Sequence, residues 1–140
     1  MNVFIDTNIL AYAYDLSEPI KREKCFNILK EVFSGEKRAF ISSQILGELF
    51  YTLVKNFRKP LDKEKARIVI GSFVNSPNWV KFDYNSNTIE KAVILSNEYN
   101  VPFWDCLIAA TMLENNIFTI YTENESDFRK IPGIKVLNPL

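Results

Sequence analysis

No stretch of the chain constrains the fold more than Val3-Phe4-Ile5-Asp6-Thr7-Asn8. Three consecutive β-favouring apolar residues, with no polar alternation, describe a strand buried on both faces, the condition of an interior strand in a parallel sheet. A carboxylate follows at once, and Thr7-Asn8 are small polar residues of the kind that open a helix. The apolar segment Ile9 to Tyr14 continues from there. Ligands of open α/β sheets bind outside the carboxyl ends of the strands. Asp6 is therefore either a helix cap or an acid held by a rigid strand at the rim of a crevice.

The remainder of the chain repeats this alternation. Pro19 suits the first turn of a helix running to about Ser34, with Cys25, Phe26, Leu29, Val32 and Phe33 as its apolar stripe and Gly35 as its stop. Ala39-Phe40-Ile41 reads as a second strand, and Ser42-Ser43 caps a helix over Gln44 to Phe57. Asp62 opens another through Val74, and Trp79 to Phe82 forms a third strand. Asn85 to Thr88 cap a helix ending at Tyr99, and a further helix runs from Phe103 to Asn115. Phe118 to Tyr121 is a fourth strand, Thr122 to Asp127 a polar loop, and Gly133 to Leu137 a last strand. Strands alternating with helices predict an α/β class with a central, mainly parallel sheet and right-handed crossovers. At 140 residues and 47% hydrophobic, one domain over 1–140 is expected, large enough to bury roughly two-thirds of its unfolded surface.

Composition removes several chemistries. Seventeen basic residues balance seventeen acidic ones, so no overall basic field attracts nucleic acid, and polyanion binding must come from a local patch or from metal ions. Histidine is absent, which excludes a Ser-His-Asp triad, a histidine general base and histidine-ligated zinc. Cys25 and Cys106 lie far apart in apolar helical patterns and read as reduced core residues. Neither a charged-then-apolar leader nor a run long enough for a bilayer is present, so the expectation is a soluble, cytoplasmic protein without membrane contact. A catalyst built from this chain must rely on carboxylates and a hard, oxygen-bound cation.

Four acids are candidates for that work. Asp105 sits in a helix apolar around nearly its whole circumference, flanked by Ile108, Ala109 and Met112. Removing a carboxylate from water costs on the order of several kcal/mol. A place in the first helical turn returns only ~0.3–1 kcal/mol, so Asp105 needs a partner or a cation. Glu48 falls off its helix's apolar arc, on a stripe with Gln44, Thr52, Lys55 and Lys59, which suits a solvated face or a cleft wall. The segment Tyr121 to Phe128, with Glu123, Glu125 and Asp127, follows a strand and so reaches the same sheet edge as Asp6.

Taken together, Phe4-Ile5-Asp6-Thr7-Asn8-Ile9-Leu10, Glu48, Pro102-Phe103-Trp104-Asp105-Cys106-Leu107-Ile108-Ala109-Ala110, Thr122 to Phe128 and the closing Val136-Leu137-Asn138-Pro139 resemble the PIN-domain ribonucleases. Within that family the chain looks most like the VapC-type toxins of type II toxin–antitoxin modules. The likeness runs nearly end to end. It implies a three-layer α/β/α fold whose acids converge at one end of the sheet, bind Mg²⁺ or Mn²⁺ and cleave RNA. On motif matching, Asp6, Glu48, Asp105 and Asp127 are the catalytic acids and metal ligands, with Thr7, Asn8, Thr122 and Asn124 supporting them. One departure stands out: the family's loop often carries Asp where this chain has Asn124. The fourth ligand is then Asp127, with Asn124 as a neutral ligand or supporting group. The resemblance also implies a small antitoxin partner and a homodimer.

That assignment is physically coherent, because two carboxylates ~4 Å apart repel by ~4 kcal/mol at an effective dielectric of ~20. Four of them need a divalent ion or bound protons. Lys55, Arg58 and Lys59, with Arg129-Lys130, are candidates for phosphate contact, although cations at a helix C-terminus also favour its dipole. Single-stranded or loop RNA is the expected target, since unstacked nucleotides can be splayed into a cleft. Exposed Tyr or Phe could stack on bases, but with eleven Phe, six Tyr and two Trp most aromatics must be core. Three other readings stay open: a PIN-like module that acts only by association, an RNA-processing nuclease without an antitoxin, and a phosphoaspartate receiver or haloacid-type phosphatase. The last lacks the second aspartate two residues after Asp6, where Asn8 stands.

Overall fold

A computed structural model gives the fold of residues 1–140. Its strands are β1 (Val3–Ile5), β2 (Ala39–Ser42), β3 (Trp79–Phe82), β4 (Thr119–Tyr121) and β5 (Lys135–Leu137), in the spatial order β3-β2-β1-β4-β5. Every pairing is parallel. Register places Ile5 beside Tyr121, so Asp6 and Thr122 leave the sheet side by side. The order of connection reverses between β1 and β4, which makes their carboxyl ends the switch point where an α/β sheet opens a crevice.

Seven α-helices flank the sheet: α1 (Thr7–Tyr12), α2 (Pro19–Phe33), α3 (Ser43–Tyr51), α4 (Lys63–Asn75), α5 (Ser86–Tyr99), α6 (Phe103–Glu114) and α7 (Glu125–Arg129). Contacts divide them into a set α1–α4 and a set α5–α7. Right-handed crossovers explain the division. Chain progress from β1 to β3 puts helices on one face, and the reversal to β4 and β5 puts them on the other. Capping follows the sequence closely: Asp6, Ser42 and Asp62 each accept a backbone N–H at the start of a helix, and Asn85 with Thr88 forms a capping box.

The apolar circumference of α6 has a direct cause. Cys106, Leu107, Ala109 and Ala110 pack with Ala92 and Val101, while Ile108 and Met112 join the main core under the sheet. The helix is covered on both sides. Cys25 and Cys106 are free thiols, both buried. No helix is long and apolar enough to cross a membrane.

Four element boundaries depart from the sequence reading, that of the last strand among them, which begins at Lys135 rather than Gly133. The helix expected to run unbroken from Gln44 to Phe57 ends at Tyr51 and continues as a π-helical turn over Thr52–Asn56. Phe118 lies outside β4 with half its surface exposed. The expected loop after β4 contains α7, whose five residues are too few for a helical period to show. Glu125 and Asp127 in its first turn complement the dipole, and buried Phe128 anchors it.

Candidate active site

Asp6 is 5% exposed at the tip of β1. Its Oδ1 accepts from the backbone N–H of Thr7 at 2.7 Å, and its Oδ2 accepts from the Thr122 hydroxyl at 2.7 Å and from Asn8 Nδ2 at 3.2 Å. Burial nevertheless dominates these bonds and pushes the carboxyl up to about 6, with the charge of Glu48 adding to the rise. Thr122 is itself fully buried, and its Oγ1 accepts from the Asn124 backbone N–H at 2.9 Å. Asn8 closes the junction from the other side, its Oδ1 accepting from the Glu123 N–H at 3.2 Å.

Asp105 and Asp127 meet at the next layer of this network. The Asn124 side-chain amide donates to Asp105 Oδ2 at 2.9 Å and to Asp127 Oδ2 at 3.1 Å. Burial, a hydrogen bond with Asp127 and the charge of Asp6 together hold the Asp105 carboxyl up at about 7. The other acids of this segment turn away. Glu123 pairs with Lys21 at 3.0 Å and accepts from the Tyr12 hydroxyl, while Glu125 accepts from Arg129 and Asn138. Of the three acids in the segment, Asp127 alone faces Asp105.

Glu48 reaches the site from α3. Its Oε1 accepts from the Thr7 hydroxyl at 2.8 Å and its Oε2 from Gln44 Nε2 at 3.2 Å. Gln44 Nε2 also donates to the Trp104 carbonyl at 2.9 Å, so one buried amide ties α3 to the first turn of α6. Its Oε1 is left without a partner. Glu48 is half-buried rather than on a solvated helix face.

These groups line a cleft of about 1000 Å³ that holds Asp6, Thr7, Asn8, Glu48, Asp105 and Asn124 together. Asp127 stands behind it through Asn124. Lys55, Arg58 and Lys59 are exposed and none lines the cleft. The π turn is the reason for Lys55: its wider turn puts Asn56 rather than Lys55 on the cleft beyond Thr52, and the helical segment ends at Asn56, before Lys59. Lys59 lines a separate groove with Tyr14, Leu16 and Phe26.

The donor set fits a hard divalent cation, being carboxylate and hydroxyl oxygens, two of them on acids whose ionised forms are disfavoured by burial. As they stand, the acids form two hydrogen-bonded pairs, Asp6 with Glu48 through Thr7, and Asp105 with Asp127 through Asn124. No three of them enclose a point where an ion would sit. Sequence reasoning did not assign a site role to Gln44, Tyr51, Tyr84 or Trp104. Spacing offered a signal for two of them, since Gln44 is one helical turn before Glu48 and Trp104 adjoins Asp105.

The fold has known counterparts. VapBC from Salmonella typhimurium, solved bound to DNA, aligns with a TM-score of 0.71 at 23% identity, covering 100% of this chain and 99% of that one. VapBC2 from Rickettsia felis, bound to a DNA fragment from its promoter, gives 0.70 at 25% identity over 99% and 98%. VapC20 from Mycobacterium tuberculosis, a Sarcin-Ricin loop cleaving toxin, gives 0.70 at 15% identity over 89% and 91%. No curated protein sequence matches. The PIN domain family model covers residues 3–134, and the chain belongs to that family.

Proposed function

We propose that this protein is a Mg²⁺- or Mn²⁺-dependent endoribonuclease, the toxin of a toxin–antitoxin pair, acting in the cytoplasm. The observation that carries the reading is the single hydrogen-bonded network from Asp6 through Thr122 and Asn124 to Asp105 and Asp127, built at the switch point of the sheet. VapC20, a Sarcin-Ricin loop cleaving toxin, and the VapBC complexes support the choice of substrate and of an antitoxin partner.

Asp6, Glu48, Asp105 and Asp127 would hold the cation. When bound, such an ion lowers the pKa of a water and offsets charge developing on the phosphodiester. The protein's own residues prepare for it. Thr122, Asn8 and the Thr7 N–H fix the rotamer of Asp6, Thr7 and Gln44 orient Glu48, and Asn124 keeps Asp105 beside Asp127 against their repulsion. Lys55 and Arg58, exposed beside the cleft residue Asn56, would meet the phosphate backbone. Exposed Val93 and Ile94 on α5 support a homodimer.

A second reading, a module that binds without cutting, is favoured by the absence of three acids around one point. Incubation with an RNA panel in Mg²⁺, Mn²⁺ or chelator separates the two. Metal-dependent cleavage lost in Asp6→Asn and Asp105→Asn is the expected result, and intact RNA in every metal overturns the nuclease reading.

A further inference from the structure

Three aromatic side chains stand around the cleft with their surfaces open: Tyr51 at 59% exposure, Tyr84 at 39% and Trp104 at 59%. They come from the end of α3, the segment after β3 and the first turn of α6, distant parts of the chain that the fold brings to one rim. The other tryptophan, Trp79, is 1% exposed in the core. Tyr51 and Tyr84 have no aromatic partner. Trp104 is braced on one edge by Phe103 at a ring-centroid distance of 5.0 Å. Its backbone is tied to α3 by Gln44, and the Tyr84 segment is tied to the start of α3 by a hydrogen bond from the Ser43 hydroxyl to Asp83. The rim is exposed and held in place.

One part of the wall these rings share is bare. Gly47 lies within α3 one turn before Tyr51, and a Cβ built on it meets nothing within 4 Å. Glycine inside a helix is unfavourable relative to alanine, and here no neighbour requires it. What its missing side chain does provide is open space in the lining that Gly47 shares with Tyr51. The lining also contains no Lys or Arg, so these walls meet a nucleotide with π-faces rather than with positive charge.

We propose that Trp104, Tyr51 and Tyr84, over the bare wall at Gly47, form a stacking slot for unstacked nucleobases next to the cleavage site. The inference rests on the nuclease reading and narrows its substrate to single-stranded or loop RNA. Bases are held by their faces, a mode that is tolerant of sequence. A base inside a duplex has both faces covered and cannot enter.

The test uses an Asp105→Asn background in chelator, where nothing is cut, and a labelled oligoadenylate followed by anisotropy. The single strand is expected to bind and to quench the emission of Trp104, with Trp79 contributing an unquenched background. Trp104→Ala and Gly47→Leu each weaken binding about tenfold, and Trp104→Phe stays within about twofold, while thermal melts report an intact fold. Equal affinity of Trp104→Ala and its parent overturns the slot, as does equal binding of the strand annealed to its complement. Trp104 emission that responds to an antitoxin peptide but to no oligonucleotide also overturns it, and makes the rim a protein interface. The nuclease reading is judged separately with otherwise unsubstituted protein in Mg²⁺. Cleavage that is unaffected by Trp104→Ala overturns the slot alone, and binding with no metal-dependent cleavage overturns the nuclease alone.

Discussion

The Asn124 amide nitrogen lies 2.9 Å from Asp105 Oδ2 and donates to it, while the same nitrogen serves Asp127 at 3.1 Å. One neutral donor thus stands between two carboxylates, where charge repulsion would otherwise drive them apart or keep one protonated. Asn124→Asp removes the donor and adds a third charge at that point. In chelator the variant is expected to melt several degrees below wild type, consistent with ~1–2 kcal/mol lost. With Mn²⁺ the order reverses, because a further hard ligand joins the four acids. Isothermal titration with Mn²⁺ and melts with and without metal check both signs, and unchanged metal affinity would show that Asn124 lies outside the ion's reach.

Asp6 and Asp105 have ordinary carboxyl values of 3.8 and are held at about 6 and about 7 in the fold, chiefly by burial. The folded protein therefore keeps protons that the unfolded chain has released. Stability from these groups is fully present below pH 3.8 and is lost as pH rises through the two folded values. Between about pH 5 and about pH 8 in chelator, the melting temperature should fall by roughly 5–10 °C. Excess Mg²⁺ at the upper pH restores it, since a ligand that binds only the folded state stabilises it by mass action. Asp105→Asn abolishes the later part of the fall and melts above wild type at the upper pH. A flat profile in chelator would contradict the shared field of the two acids.

Thr7 occupies the first position of α1, its N–H on Asp6 and its hydroxyl on Glu48 at 2.8 Å. It is the one residue that touches both acids of the first pair. Thr7→Val keeps the backbone bond and the side-chain volume but leaves Glu48 without that donor. Loss of about 10–100-fold in metal affinity or cleavage is expected, the usual consequence of removing a group that orients a ligand. Thr7→Ser should recover most of it. Loss in the Ser variant with function kept in the Val variant would point instead to packing of the methyl group, which Val keeps and Ser lacks.

Much of this arrangement was legible from residue types. Val3-Phe4-Ile5 had to be an interior strand, and the carboxylate after it had to emerge at the sheet edge. Asp105 was conspicuous because an acid among apolar residues demands a partner. Glu48 was harder: on its own helix it looks solvated, and only the approach of Thr7 from another element gives it a role. Lys55 and Lys59 were misaligned with the cleft for a local reason, since periodicity assumes 3.6 residues per turn and the π turn at Thr52–Asn56 breaks that assumption at Lys55 and ends before Lys59. The aromatic rim was legible only at Trp104, which adjoins Asp105; its gathering with Tyr51 and Tyr84 was not. Tyr51, Tyr84 and Trp104 have no spacing relation along the chain, and composition alone assigns aromatics to the core.

Lys55 and Arg58 flank Asn56, the last residue of the π turn and part of the cleft lining. Both side chains are exposed, so their worth to the fold is small and their charge is available to a phosphate backbone. Each phosphate contact on a single strand adds about −0.7 to the slope of log affinity against log salt. Lys55→Ala with Arg58→Ala, in an Asp105→Asn background that prevents cleavage, should therefore lessen that slope by about 1.4 while the melting temperature stays put. Lys59→Ala should change neither, because Lys59 opens on the groove beside Phe26. A double variant with the parental slope would leave Lys55 and Arg58 only the carbonyls at the end of their own helix, a role that the helix dipole accounts for.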